Sequence, residues 1–374
     1  MKALEGGTPD RLPVTTHHVM PYFLNKYMDG MTNEQFFEYF GLDPIVWANS
    51  VRLGPGEYVL KYQSQTGWPL VFICSDQWRI EAENIPLQAY PTTHFNVITS
   101  GGRLSMTLQF NEYTCWVTEH LIKSKEDIDL LRYMIIPKCD VENVNTAAAQ
   151  LGDRGIVRGT ICGFDIFGQP GTWQDAACLV GIQRLIMETY DDPSWVHQLL
   201  NILQQRKQGF IDSLKGAKYD ILELGGGDAS STVISPGLFE EFVAPYDSRL
   251  IAHAHSVGQK IVYHTCGGMM PILEKIAAMK PDAMETFTPP QMGGDTDLAQ
   301  ARKRIPSDIC MIGGFDQFHF FTECSEQQTR AEVRRCFEAA GRDGGFILSP
   351  SDHFFDADPK LIVAFADEAQ KCIY

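Results

Sequence analysis

The sequence predicts a (β/α)8 TIM barrel with an antiparallel β elaboration in its N-terminal third. From about residue 150 onward, short apolar runs alternate with amphipathic helical stretches, the pattern of a parallel sheet with helices outside it. Residues 55–120 read instead as strands joined by tight turns. No G-x-G-x-x-G follows a strand, which removes the support for a dinucleotide-binding sheet. An open doubly wound sheet is the alternative architecture.

Taken in order, "RLPVTT" (11–16) is the best candidate for a barrel strand in the first half. Then "GEYVLKYQSQ", "PLVFICSDQWRIEA", "HFNVITSGGRLSMTLQF" and "YTCWVTEHL" form the antiparallel elaboration, with Ser100, Gly101 and Gly102 as a hairpin loop. This elaboration is placed over one end of the barrel. Barrel strands are expected at 156–161, 220–224, 260–263, 283–287, 309–312 and 346–349. Helices fall at 179–190, 195–215, 236–258, 326–341 and 359–372. In 236–258, Leu238, Phe242, Tyr246 and Leu250 recur every four residues. Ser235 and Pro236 suit the N-cap and first helical position, and Pro245 predicts a kink. With no flexible linker, residues 1–374 are read as a single domain.

At 374 residues and 44% hydrophobic, the chain can bury a large core. No apolar run reaches the roughly 20 residues of a membrane span. The start, "MKALEGGTPDRLPV", has no signal-peptide core, and ten cysteines show no close-spaced disulfide pattern. A cytoplasmic protein with reduced thiols is expected. A net charge of −16 argues against nucleic acid, whose phosphates need clustered Lys and Arg. "RAEVRR" (330–335) is read as a solvated helix face.

In such a barrel, chemistry sits on the loops at the C-terminal strand ends. Polar residues collect there: Asp165; Glu223 and Asp228; His264 and Cys266; Glu285; Asp316 and His319; Asp352 and His353. In "KIVYHTCGGMM" (260–270), His264 and Cys266 are two apart and share a face of an extended chain. An imidazole nitrogen and a thiolate suit zinc, which accepts mixed N, S and O ligands. Glycines beyond Cys266 let a substrate approach the metal closely.

With these residues in place, the chain resembles the uroporphyrinogen decarboxylase superfamily, and within it the corrinoid-dependent methyltransferases. The likeness is carried by "DILELGGGDASSTVISPGLFEEFVAPYDSRLIAHAHSVGQKIVYHTCGG" (220–268), "MIGGFD" (311–316), "GGFILSPSD" (344–352), "GTPDRLPV" (7–14) and "LVGIQRLIMETYDDPSWVHQLL" (179–200). It implies a barrel fold and a zinc bound by His264 and Cys266. The family's third ligand, a cysteine near the chain's end, is replaced here by Asp352, beside His353. Asp352, His353, Glu285 and Glu223 are the candidates to complete the shell. Fewer thiolates leave zinc a stronger Lewis acid, which favours polarising an ether oxygen.

The expected function is therefore methyl transfer from an O-methyl donor, an aryl methyl ether, to a Co(I) corrinoid. The corrinoid (cobalamin) is expected on a partner protein, because this chain has no D-x-H-x-x-G motif to hold one. Glu223 and Asp228 are the candidate catalytic groups; His264, Cys266, Asp352 and Glu285 the candidate metal ligands. His18, Phe164, Trp173, Phe315 and His353 are assigned to substrate binding, the aromatics suiting a flat molecule. A decarboxylase is the rival of the same fold, though His17 and His18 stand where it would carry cationic residues. A methyltransferase with a thiol acceptor and a non-catalytic corrinoid-protein-binding barrel are further alternatives.

Overall fold

The computed structural model describes residues 1–63 and 69–374. Seven parallel strands follow one another around a curled sheet: Ile45–Trp47, Ile156–Thr160, Ile221–Gly225, Ile261–His264, Ala283–Thr286, Cys310–Phe315 and Phe346–Pro350. The eighth place is filled by residues 13–15. Leu348 N donates to Pro13 O and Thr15 N to Leu348 O, both at 2.9 Å. On the other side, Asp43 N donates to Val14 O at 2.7 Å, and Val14 N to the Asp43 carboxylate at 2.8 Å. The segment thus joins the last strand to the first, in a TIM-like barrel.

Six strands lie where the apolar runs place them. The Ile45–Trp47 strand was not expected, since three residues are too few to show an alternation. "RLPVTT" contributes its stave through a single parallel bridge, Val14 to Leu348. Cys310–Phe315 runs three residues past its expected end, through Gly313 and Gly314.

Alternation along the strands sets two populations apart. Leu222, Leu224, Ile261, Tyr263, Met284, Met311, Phe346 and Leu348 join the large core beneath the helices. Ile221, Val262, Ala283, Cys310, Ile312 and Ile347 form a separate apolar cluster inside the barrel with Ala3 and Leu4, which the Lys2–Glu5 turn carries. Two residues after Ile156, Ile221, Val262 and Ala283, on the same inward face, come Arg158, Glu223, His264 and Glu285.

The antiparallel region contains a hairpin, Tyr58–Gln63 with Pro69–Cys74, and a four-stranded sheet, Trp78–Ile85, Thr92–Thr99, Gly102–Phe110 and Cys115–Glu119. Residues 64 and 65, included in the first expected strand, lie outside the described residues. The hairpin turn at Ser100 and Gly101 is present. Ser235 caps its helix by accepting from Leu238 N at 3.2 Å. The expected kink is a π-turn at Phe239–Val243, just before the α-helix Ala244–Ser256. Pro245 has no N–H to donate back, and the widened turn absorbs that loss.

Candidate metal centre and active site

Four strands and the eighth stave aim their side chains at one point. The stave leads directly to His17, whose Nε2 lies 2.9 Å from Arg158 Nη2, 3.1 Å from Glu223 Oε2 and 3.4 Å from Glu285 Oε1. Arg158 donates from Nη2 to Glu223 Oε2 at 2.7 Å and to Glu285 Oε1 at 2.5 Å, and from Nη1 to Glu285 Oε2 at 2.9 Å. His264 Nδ1 is 2.9 Å from Glu285 Oε1. Trp47 covers the guanidinium, its ring centre 4.8 Å from Cζ. All five cluster residues are buried, Arg158 to 1% exposure and Glu285 to 2%. Ligand atoms of His17, Glu223, His264 and Glu285 lie within 4.8 Å of one another.

Burial alone would neutralise these groups, and their mutual pairing prevents it. For Arg158, burial works against charge, but Glu285 and then Glu223 hold the guanidinium protonated. Burial pushes the Glu223 and Glu285 carboxyls up, yet Arg158 outweighs it and keeps both below the usual carboxylate range. Burial likewise opposes protonation of His264, and hydrogen bonds to Cys266 and Glu285 raise it well above an ordinary imidazole.

The strand ends at His264, and Cys266 lies two residues further, half-buried, with its Sγ against Gly227. Two glycines make this crowding possible. A Cβ on Gly227 would meet Cys266 Sγ at 2.6 Å, and one on Gly225, at φ +106°, would meet His264 O at 2.3 Å.

The other expected site residues fall in different places. His353 lies close by, its ring 6.3 Å from that of His17 and 5.9 Å from that of His18. Asp352 Oδ1 accepts from His353 N at 2.7 Å. His18 stacks on Trp47 with centroids 4.4 Å apart, and burial lowers its pKa to about 2. Asp228 stands apart from the charged cluster: its carboxylate accepts from Gln174 at 2.8 Å and its carbonyl from the Trp173 indole at 3.0 Å.

The expected aromatic pocket requires correction. Trp173 is wholly buried against Phe242, and Phe164 packs on Trp78, joining the antiparallel cap to the barrel. Phe315 lies within a strand three residues past inward Ile312, so it points outward onto Phe321 and Phe365. These three rings are core. The rings that do adjoin the cluster are Trp47, His18 and His353, followed outward by Phe355 and Tyr113.

Sequence reading missed His17, Arg158 and Trp47 as site residues. A signal existed for two of them. Arg158 is a charge in the middle of an otherwise apolar strand, and His17 follows directly on "RLPVTT". Trp47 had none, because its strand was not found.

Fold and site together define a TIM-like barrel with a buried, donor-rich centre at the C-terminal ends of its strands. A family model described as "Uroporphyrinogen decarboxylase (URO-D)" matches residues 95–371, and the chain belongs to that family. Uroporphyrinogen decarboxylase of Thioalkalivibrio sulfidiphilus is 23% identical over 192 residues, 49% of this chain and 50% of that protein. The enzyme of Neisseria meningitidis serogroup C is 24% identical over 165 residues, 43% of each chain. The chain thus spans about half the length of the curated relatives it matches. A solved methyltransferase from Methanosarcina mazei shares the fold: the TM-score is 0.61 at 14% identity, covering 99% of this chain and 96% of that one.

Proposed function

We propose that this protein is a metal-assisted methyltransferase that moves a methyl group from an O-methyl donor, of the aryl methyl ether class, to the Co(I) corrinoid of a partner protein. One observation carries the reading: inward His264, bonded through Nδ1 to Glu285, has Cys266 beside it at the barrel mouth. A nitrogen and a sulfur so placed, with a carboxylate behind the imidazole, suit zinc. Zinc held by His264 and Cys266 would supply a Lewis acid for the donor's ether oxygen. Glu285 fixes the imidazole tautomer, and the rings of Trp47, His18 and His353 offer flat surfaces for orienting a planar donor. In the transfer the C–O bond breaks with its electron pair left on oxygen, and the cobalt supplies the pair for the new bond to carbon. The shared fold of the Methanosarcina mazei methyltransferase supports the coarser part of this reading, methyl transfer.

Decarboxylation of a polycarboxylate is the second reading, favoured by the names of the curated relatives. Against it, the guanidinium of the charged layer is already committed to Glu223 and Glu285. The deciding experiment incubates zinc-loaded protein with Co(I) cobalamin and a panel of methoxylated aromatics, following methyl-Co(III) absorbance and the released phenol. Phenol and methylcobalamin should form in equal amounts. Porphyrinogen decarboxylation with no methylcobalamin would reverse the assignment.

A further inference from the structure

We infer that Arg158 is the resident cation of the charged layer and that it holds Glu285 as the orienting partner of His264, outside the metal's ligand shell. The inference rests on the metal reading above and deepens it, because it separates ligands from positioning residues among the four clustered donors.

The carboxylate oxygens have few lone pairs to give. Glu285 Oε1 already faces two N–H donors, Arg158 Nη2 at 2.5 Å and His264 Nδ1 at 2.9 Å. A carboxylate oxygen presents two acceptor sites, and both are taken. Its other oxygen accepts from Arg158 Nη1 at 2.9 Å, so the pair is bidentate. Glu223 Oε2 is similarly engaged, by Arg158 Nη2 at 2.7 Å and His17 Nε2 at 3.1 Å. A metal ligated by His17, Glu223, His264 and Glu285 would have to expel the guanidinium. Arg158 is 1% exposed and covered by Trp47, so withdrawing it means repacking the mouth.

With Nδ1 committed to Glu285, the nitrogen His264 has left is Nε2. That nitrogen, Cys266 Sγ, the buried and unpartnered Nδ1 of His17 and the Oε1 of Glu223 are the donors left for a metal once Glu285 is committed to Arg158 and His264. The carboxylate–imidazole–metal order is the usual way a second carboxylate fixes a histidine tautomer. Glu285 and Arg158 are therefore positioning residues.

The test is equilibrium dialysis of the full-length protein against Zn2+ with metal analysis, together with absorption spectra of the Co2+-loaded protein. Glu285→Gln keeps an acceptor for His264 and should retain the metal, with affinity about 10–100-fold weaker. Its thiolate-to-cobalt band should be unchanged. Glu223→Gln leaves the Arg158–Glu285 pair whole and serves as the second variant should Glu285→Gln fold poorly; it should retain metal and band alike. Arg158→Lys should restore most of what Arg158→Gln loses. His264→Ala and Cys266→Ala should empty the site. Loss of metal in Glu285→Gln or Glu223→Gln as complete as in His264→Ala would overturn the inference, as would a wild-type protein that binds no metal or shows no thiolate band. Retained metal without methyl transfer would leave this inference standing while removing the proposed function. Methyl transfer by a protein whose Glu285→Gln variant has lost its metal would do the reverse.

Discussion

Ile156, Ile221, Val262 and Ala283 and the residues two places beyond them, Arg158, Glu223, His264 and Glu285, occupy the same four strands and the same inward face. The first set packs with Ala3 and Leu4 as an apolar plug. The second is wholly polar, yet all four of its residues are buried. One step of two residues toward the strand C-termini converts structural filling into a reactive layer. Charge is tolerated there because it is matched: two carboxylates face one guanidinium and a His264 imidazole whose protonated form is favoured, all through direct hydrogen bonds. The apolar layer beneath supplies the rigidity that keeps these distances fixed.

The contrast breaks most sharply at the ligands. His264→Ala and Cys266→Ala should each reduce methyl transfer below detection and release the metal. The melting temperature should move little, because Glu285 keeps its bidentate pair with Arg158. Full activity in either variant, measured by methyl-Co(III) absorbance, would remove the metal mechanism.

The next effect is on stability. Arg158→Met leaves two buried carboxylates without their cation and should cost about 3–5 kcal/mol in urea unfolding. Ile221→Ala, in the apolar layer two residues before Glu223, should cost about 2–5 kcal/mol through the cavity it leaves. The two variants differ in what survives. The Ile221 variant, assayed where it is still folded, should bind metal as the native protein does, whereas Arg158→Met should not. Equal metal binding by both would show that the charged layer does not depend on its guanidinium.

Much of this architecture was legible because long, regular patterns are redundant. Six apolar runs separated by helical repeats place six of the seven sheet strands, and turn residues mark the antiparallel region. His264, Cys266, Glu223 and Glu285 were visible as polar residues at the ends of apolar runs. What escaped depended on contacts between distant segments. Arg158 looked like part of a strand until Glu223 and Glu285, 65 and 127 residues away, gave its charge partners. His17 became a site residue only because the eighth stave closes against Leu348. The aromatic assignment failed for a different reason. Nearness in sequence to a strand end does not settle which way a ring points, and Trp173, Phe164 and Phe315 all turn into the core.

The smallest effect tests that last point. Phe315 and inward Ile312 belong to one strand, but their odd spacing puts them on opposite faces. Phe315 meets Phe365 of the C-terminal helix at 4.6 Å and Phe321, just past a short helix, at 5.2 Å between ring centres, so its surroundings lie outside the barrel. Phe315→Leu keeps an apolar group there and should cost about 1 kcal/mol, with KM for the methyl donor unchanged. His353→Ala, on the histidine whose ring lies 6.3 Å from that of His17, should instead raise KM while leaving the unfolding midpoint nearly in place. Steady-state kinetics on the two variants, beside their urea midpoints, separate the faces. A KM that rises in the Phe315 variant would place substrate against the outer wall of the barrel, where the packing of Phe321 and Phe365 leaves it no room.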